Sequence, residues 1–168
     1  MEKFTVAILV NNQFGVLNRV TSMFRRRQFN ITSLTVSETE SEDFSRITIK
    51  ADGDEVKREQ LINQLYKLPD VCSIMELDSL DTVSRELLLI KLRNTPEARG
   101  DIRAAADAYE GKIVDYTKDA IMIQLVGDSR KIDHFIDLMR DFEIMEICRT
   151  GIVTLQRGEE TIRRVTNL

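Results

Sequence analysis

The residues best suited to chemistry stand in one short stretch. An apolar run at residues 6–10 ends in Asn11 and Asn12 and reaches Gly15, after which Val16 and Leu17 begin a helical pattern. A strand that gives way to a helix here leaves unpaired backbone N–H groups at the helix start, and these favour a small anion such as a carboxylate. The stretch therefore predicts a binding site without visible reaction chemistry.

The rest of the chain offers few groups for catalysis. His134 is the one histidine, and we expect it on the surface because it lies off the apolar side of its predicted helix. Cys72 and Cys148 stand in no metal-binding spacing, and we expect both to be reduced and partly buried. The acidic residues between 38 and 43 are interpreted as a solvated turn. The sequence therefore predicts no catalytic residue and no metal site.

Composition and charge restrict the class of protein. A chain of 168 residues, 42% hydrophobic and 31% charged, has room for one medium or two small domains. No apolar run approaches the roughly 20 residues needed to cross a bilayer, and residues 1–4 lack the pattern of a signal peptide. We therefore expect a cytoplasmic protein without a membrane partner. The one basic cluster, residues 25–27, is interpreted as a charged helix end, and a phosphate site is the less favoured alternative.

Hydrophobic periodicity predicts the order β-α-β-β-α-β in the first half of the chain. The predicted strands are residues 4–10, 31–38, 46–51 and 71–77. The first helix is predicted from Gly15 to about Gln28, and the second carries Leu61, Leu65 and Leu68 and ends at Pro69.

The second half repeats this order. The predicted strands are residues 86–92, 112–116, 120–126 and 143–148. One helix is predicted to start at Pro96 and end at Gly111, and the other to be capped by Asp128 or Ser129. The tail after Gly151 begins like a strand and then becomes polar, so we predict that it frays.

The repeated order predicts an α+β fold of two ferredoxin-like βαββαβ units. Residues 31–38 would form an edge strand that a second copy of the chain can cover, which predicts a homodimer. We place the boundary between the units near residues 79–85. RNA-recognition modules share this element order, but the strands at 46–51 and 120–126 lack aromatic residues for base stacking. With a net charge of −4, we expect no nucleic-acid partner.

Five motifs follow one another along nearly the whole chain. They are residues 12–20 (Asn-x-x-Gly-Val-Leu-Asn-Arg-Val), 24–36, 45–49, 85–91 and 149–158. Together they resemble the regulatory, or small, subunit of acetohydroxyacid synthase, also called acetolactate synthase. The resemblance implies that residues 1–79 form an ACT domain for effector binding and dimerisation, and residues 80–168 a C-terminal ferredoxin-like domain.

The resemblance also implies a regulatory function. Such subunits bind a catalytic subunit that joins pyruvate to pyruvate or 2-oxobutyrate in branched-chain amino-acid biosynthesis, raise its activity, and confer feedback inhibition by valine. No cofactor is implied on this chain, since thiamine diphosphate, FAD and Mg²⁺ belong to the catalytic subunit. The alternative is an amino-acid-sensing ACT protein that controls a different enzyme. The chain departs from the family pattern at Asn11, where glutamate is common.

The resemblance places a valine site at the first loop. The implied effector-binding residues are Asn12, Gly15, Val16, Leu17, Asn30 and Ile31. Backbone N–H groups near Gly15 would hold the carboxylate, and Asn30 and Ile31 would come from the partner chain. The structural alternatives are that Gly15 serves only the turn, and that Asn30 caps the preceding helix in a left-handed conformation. Residues 92–96 occupy the corresponding place in the second half without an Asn-x-x-Gly pattern, so we assign no valine site there.

Overall fold

The computed structural model describes residues 3–78 and 80–163, which form two compact units. The first unit comprises the described part of residues 1–83 and 152–168, and the second comprises residues 84–151. Each unit contains the predicted β-α-β-β-α-β order and an antiparallel sheet, which confirms the α+β fold of two ferredoxin-like units. Ser79, at the predicted boundary, lies outside the described residues.

The first unit is built on a four-stranded sheet with β2 at one edge, as predicted. Its elements are β1 (Lys3–Asn11), α1 (Val16–Arg26), β2 (Ile31–Glu38), β3 (Phe44–Asp52), α2 (Glu55–Leu65) and β4 (Val71–Glu76). The strand order is β2-β3-β1-β4, and neighbouring strands are antiparallel. Helix α2 ends before Leu68, whose N–H donates to Leu65 O at 3.0 Å in a tighter turn. Pro69 disfavours helical backbone at the residue before it.

Both faces of the central strand β1 are buried. Val6 and Ile8 face the helices and join a core that includes Phe24 of α1 and Leu61 of α2. Ala7 and Leu9, which alternate with them, face the other side of the sheet and join a second apolar cluster. Because side chains alternate along a strand, this face of the sheet also needs an apolar cover.

The second unit repeats the arrangement with the strand order β6-β7-β5-β8. Its elements are β5 (Thr82–Arg93), α3 (Arg99–Ala108), β6 (Lys112–Tyr116), β7 (Ala120–Gly127), α4 (Ser129–Met139) and β8 (Ile144–Arg149). Asp128 caps α4 and accepts a hydrogen bond from Lys131 N–H at 2.7 Å, which decides between the two predicted caps. Pro96 lies in a turn before α3 and not at its start, because Thr95 Oγ1 and Thr95 O organise that turn.

The tail is packed where fraying was predicted, and it belongs to the first unit rather than to the predicted domain of residues 80–168. Strand β9 (Val153–Gln156) is followed by Ile162, which is only 7% exposed. Ile162 packs with Leu9 and Met75 on the sheet face opposite the helices, and thus provides the apolar cover. Residues 164–168 of the predicted frayed tail lie outside the described residues.

Several smaller predictions are decided by exposure. His134 is exposed, as predicted. Cys72 is half-buried and Cys148 is exposed, so partial burial holds for the first cysteine and is wrong for the second.

None of the described helices has the length and apolar character needed to cross a membrane. In the described ranges, no three His, Cys, Asp or Glu side chains converge as metal ligands do.

Candidate functional site

The loop between β1 and α1 turns at Gly15. This residue has φ +82° and stands directly before the helix, with no side chain capping the helix end. A Cβ on Gly15 would lie 3.3 Å from Arg19 Nη1, closer than most such contacts allow. The left-handed backbone therefore favours glycine here, and a Cβ would also require a small shift of the flexible guanidinium.

Backbone N–H groups at the start of α1 are open to a ligand. Val16 N–H donates to Gln13 O at 3.3 Å, a long contact. Among the described residues, none accepts a hydrogen bond from the N–H of Leu17 or Asn18. These donors and the positive end of the helix dipole suit a carboxylate. The N–H of Gly15 likewise has no acceptor among the described residues, so the open donors lie at Gly15, Leu17 and Asn18, and of the two positions that the sequence named only Val16 makes an internal contact.

Arg19 adds a positive charge that the sequence analysis missed. Its Nε donates to Asp70 Oδ2 at 2.7 Å, which fixes the guanidinium beside Gly15. The Asp70 side chain is 13% exposed and the Arg19 side chain 44% exposed, so one end of this ion pair is anchored in the protein and the other meets solvent. The spacing could have revealed this group, because a residue four positions after Gly15 points back towards the helix start.

Asn12 is bonded inward. Its Nδ2 donates to Glu38 Oε1 at 3.1 Å and to Glu42 O at 2.9 Å, and its Oδ1 accepts from Ser45 Oγ at 3.0 Å. An asparagine amide has two N–H donors, and both are used here. In this conformation Asn12 joins the loop to the turn between β2 and β3, and only a lone pair of Oδ1 is left for an effector.

The apolar residues of the loop divide into a buried and an exposed group. The Val16 side chain is 3% exposed and belongs to the core, so only its backbone reaches the loop surface. Leu17 is 41% exposed and Phe14 is fully exposed at the tip. An exposed phenylalanine beside open N–H donors supplies apolar surface for a ligand or partner, and the sequence analysis did not single it out.

Asn30 and Ile31 lie at the other end of the sheet from Gly15. On β3, Asn11 pairs with Phe44, whereas Ile31 pairs with Ala51. Seven strand residues separate these positions, which corresponds to about 23 Å. One chain therefore does not bring the two predicted halves of the site together.

The proposed left-handed cap at Asn30 is wrong. Gln28, with φ +58°, takes the left-handed position after α1, and Asn30 is not among the described residues with positive φ. Asn30 instead exchanges bonds with the end of β3: its Nδ2 donates to Asp52 Oδ2 at 3.4 Å, and its carbonyl accepts from Asp52 N–H at 3.2 Å. Its side chain is thus held by one long contact at the exposed edge.

Beneath the loop, the thiol of Cys72 donates to Asn11 Oδ1 at 3.4 Å. Burial raises the pKa of the Cys72 thiol, a hydrogen bond from Asn11 opposes this, and the nearby Asp70 carboxylate raises the pKa further. The thiol therefore holds its proton more firmly than an exposed cysteine would, which makes it a poor nucleophile. Its place in the structure is packing beneath the loop.

The corresponding loop of the second unit is closed by its own hydrogen bonds. Asn94 is 5% exposed, and its N–H donates to Asp119 O at 3.0 Å. Its Nδ2 donates to Thr117 O at 2.5 Å, and its Oδ1 accepts from Arg99 Nε at 3.2 Å. This loop has no glycine in a left-handed conformation.

The fold of the first unit and its open loop beside Gly15 define an ACT-type domain, a class of ligand-sensing module. Comparison with protein families agrees and extends to the second unit. A family model described as "AHAS small subunit-like ACT domain" matches residues 6–73, where AHAS is acetohydroxyacid synthase. A second model, described as "Small subunit of acetolactate synthase", matches residues 85–158.

Individual relatives cover almost the full chain. A probable acetolactate synthase small subunit of Archaeoglobus fulgidus is 46% identical over 158 residues, which are 94% of this chain and 99% of that protein. The small subunit of acetolactate synthase isozyme 3 of Escherichia coli is 38% identical over 94% of this chain and 98% of that protein. This chain belongs to the acetolactate synthase small subunit family.

A solved structure supports the same assignment. The crystal structure of the acetolactate synthase small subunit of Thermotoga maritima superposes with a TM-score of 0.87 at 36% identity. The match covers 95% of this chain and all of that chain. Both ferredoxin-like units therefore have counterparts in the relative.

Proposed function

We propose that this chain raises the activity of the catalytic subunit of acetolactate synthase and makes that enzyme sensitive to inhibition by valine. The family membership supports the partner, and the open loop beside Gly15 supports the effector site. Thiamine diphosphate, FAD and Mg²⁺ would be held by the catalytic subunit in the cytoplasm, and this chain would contribute no catalytic group. Its role would be to change the activity of its partner.

The loop suits valine because it offers a partner for each part of the molecule. The carboxylate would accept hydrogen bonds from the N–H groups of Leu17 and Asn18 beside the Arg19 guanidinium. Gly15 lets the ligand approach closely because it has no Cβ. The exposed side chains of Leu17 and Phe14 would cover the isopropyl group.

A homodimer formed through β2 would complete this site. Strand β2 is an edge strand, and Leu34 and Val36 are 37% and 40% exposed. A two-fold antiparallel pairing centred between Leu34 and Thr35 would set Ile31 of the partner subunit opposite Glu38, which is bonded to Asn12. Asn30 of the partner subunit would then stand beside the Gly15 loop.

Feedback follows if valine binds one arrangement of the dimer better than another and the catalytic subunit senses the difference. Such couplings are typically about 1–3 kcal/mol, which corresponds to a roughly 5- to 150-fold change in affinity. Binding across a dimer interface gives a direct means of coupling, because the ligand contacts both chains. A rigid site within one chain would not couple ligand binding to the arrangement of the dimer in this way.

The test of the function is to purify the chain with the catalytic subunit encoded in the same genome and to assay acetolactate formation with and without valine. We expect the chain to raise the activity and valine to remove that gain. A chain that binds the catalytic subunit without changing its rate, with or without valine, contradicts the proposal. Activation of a different enzyme instead would favour the alternative of another ACT-controlled pathway.

The cross-chain contact is tested with Asn30→Ala. Calorimetry should show weaker valine binding, because the side chain that completes the site is shortened. Asn18→Ala provides a matched control, since it removes a side-chain amide near the loop but keeps the backbone N–H that would bind the carboxylate. Equal valine affinities for wild type and Asn30→Ala would reduce Asn30 to its contact with Asp52.

A further inference from the structure

The first unit contains a cavity that is separate from the Gly15 loop. Its volume is about 410 Å³, and it lies between the tail and the sheet face opposite the helices. Leu9 and Met75 of the sheet form its apolar floor, and Leu155 and Ile162 of the tail line its other side. The volume falls in the range of small-molecule sites, roughly 300–1,000 Å³.

Arg46 supplies the cavity with a partly desolvated positive charge. It stands on β3 between core residues, so its side chain projects to the cavity side of the sheet. Its Nη2 donates to Thr154 O at 2.9 Å, and within the described residues no carboxylate forms an ion pair with it. Burial lowers the pKa of the Arg46 guanidinium, with no neighbouring acid to oppose this. A cation in this state gains from an anionic ligand.

Acidic side chains line the same cavity. Glu38 accepts a hydrogen bond from Asn12, and Glu40 pairs with Arg163 at 3.0 Å. Glu160 is exposed at the rim. The cavity therefore combines an arginine, an apolar floor and an acidic rim, and a ligand that matches all three has a carboxylate, an aliphatic chain and an ammonium group.

We propose that this cavity binds an aliphatic α-amino acid, with Arg46 holding the carboxylate and Glu160 facing the ammonium group. Leu9, Met75 and Ile162 contact the aliphatic chain. The site is distinct from the loop at Gly15, which is not part of the cavity lining, and it does not depend on the valine site proposed there. Each chain would then carry two amino-acid sites of different construction.

The occupant is located by methyl NMR on the full chain labelled at its methionine and isoleucine methyl groups. We expect leucine, isoleucine or valine to shift the Met75 and Ile162 signals as the ligand is added at millimolar concentrations. Isobutyrate, which lacks the ammonium group, should shift them at higher concentration, and isobutylamine, which lacks the carboxylate, should not. If no amino acid shifts either signal, the proposal is wrong.

Variants separate this site from the Gly15 loop. The shifts of Met75 and Ile162 give the affinity of the cavity for the amino acid. Arg46→Met should lower this affinity at least about tenfold, or about 1.4 kcal/mol, and Arg46→Lys should restore part of it. Lys50→Met, four residues along the same strand and outside the cavity lining, serves as the control. Gly15→Asp should leave the cavity signals responsive even if it abolishes valine inhibition.

Each outcome decides one of the two sites. The cavity site is supported if the Met75 and Ile162 signals still respond in Gly15→Asp and no longer respond in the double variant that also carries Arg46→Met. Cavity signals that respond equally in wild type and Arg46→Met overturn it and leave the loop proposal untouched. Cavity signals lost in Gly15→Asp, while thermal unfolding of that variant is unchanged, also overturn it, because the amino acid then binds only at the loop.

Discussion

The loop after the first strand is open in the first unit and closed in the second. In the first unit Gly15 turns the chain and leaves the N–H groups of Leu17 and Asn18 without a protein acceptor among the described residues. In the second unit Asn94, which follows its strand as Asn12 does, is likewise bonded inward, and the turn at residues 95–98 that comes after it contains no left-handed glycine. One βαββαβ framework thus carries both a loop suited to a ligand and a loop that only holds the unit together.

The difference comes from a few residues and not from the fold. A glycine with positive φ turns the chain into α1, whereas the turn into α3 is made by residues 95–98 without one. The ion pairs, in contrast, are built alike: the carboxylates of Asp70 and Glu86 are largely buried, and the guanidinium groups of Arg19 and Arg149 are partly exposed.

The largest expected effect is in the first loop. Gly15→Asp places a side chain at positive φ beside Arg19 and sets a negative charge where the carboxylate would bind, so valine inhibition should be lost while activation is retained. The measurement is acetolactate formation by the reconstituted enzyme over a range of valine concentrations. Full inhibition of this variant by valine would contradict the placement of the site.

The matched control lies in the second unit. Gly100→Asp adds the same charge near the start of α3, where a Cβ meets nothing within 4 Å. Valine inhibition should be unchanged in this variant. If both variants lose inhibition equally, charge alone and not the Gly15 loop explains the effect, and the contrast between the loops fails.

The next effect is on stability. Arg149→Met removes the partner that Arg149 Nη2 provides to the buried Glu86 carboxylate at 2.6 Å, and because Arg149 is one-third exposed and Ser129 still donates to Glu86, we expect a cost of about 1.5–3 kcal/mol. Urea denaturation followed by circular dichroism should show a correspondingly lower free energy of unfolding. The exposed Arg140, paired with Asp137 one helical turn away, is the control, and Arg140→Met should change stability by less than about 1 kcal/mol. Similar losses in both variants would show that the Glu86–Arg149 pair contributes no more to stability than an exposed ion pair.

A smaller effect tests the closed loop directly. Asn94→Ala removes the amide that bonds Thr117 O and Arg99 Nε, which should cost about 1–3 kcal/mol of stability. Valine affinity measured by calorimetry should stay that of the wild type, because the second loop is not a binding site. A large loss of valine affinity with intact stability would place an effector site in the second unit after all.

The smallest effect concerns Arg19. Arg19→Met removes a charge beside the open N–H groups without adding bulk at Gly15, and valine affinity should fall about tenfold, or about 1.4 kcal/mol. Arg25→Met, at the far end of the same helix, is the control for charge. If the two variants bind valine equally, Arg19 is only an anchor for Asp70.

The sequence was sufficient for the order of elements and for the open loop, because both depend on local patterns. Apolar spacing predicts β1 and α1, and Gly15 followed by Val16 predicts the helix start. The tail was misjudged because Ile162 is a single apolar residue in a polar segment, which has no periodicity, and its burial depends on the distant surface around Leu9.

Two details of the site depended on contacts distant in sequence. Asn12 bonds inward to the turn between β2 and β3, about 30 residues away, and no local pattern indicates that. The left-handed residue after α1 is Gln28 rather than Asn30, although asparagine adopts this backbone conformation more readily than glutamine, so local propensity favoured the wrong residue. The separation of Asn30 from Gly15 follows from the register of the strands. This register can be deduced from the sequence only once the order of the strands in the sheet is known.

The central claim is that the Gly15 loop of one chain and Asn30 of the other form one valine site. Gly15→Asp and Asn30→Ala chains, carrying different affinity tags, can be mixed and the heterodimer isolated for calorimetry. If the site spans both chains, the heterodimer regains one intact site, because Gly15 of the Asn30→Ala chain meets Asn30 of the Gly15→Asp chain. We predict one valine per heterodimer with the affinity of the wild type, and a heterodimer as defective as both variant homodimers would contradict the account.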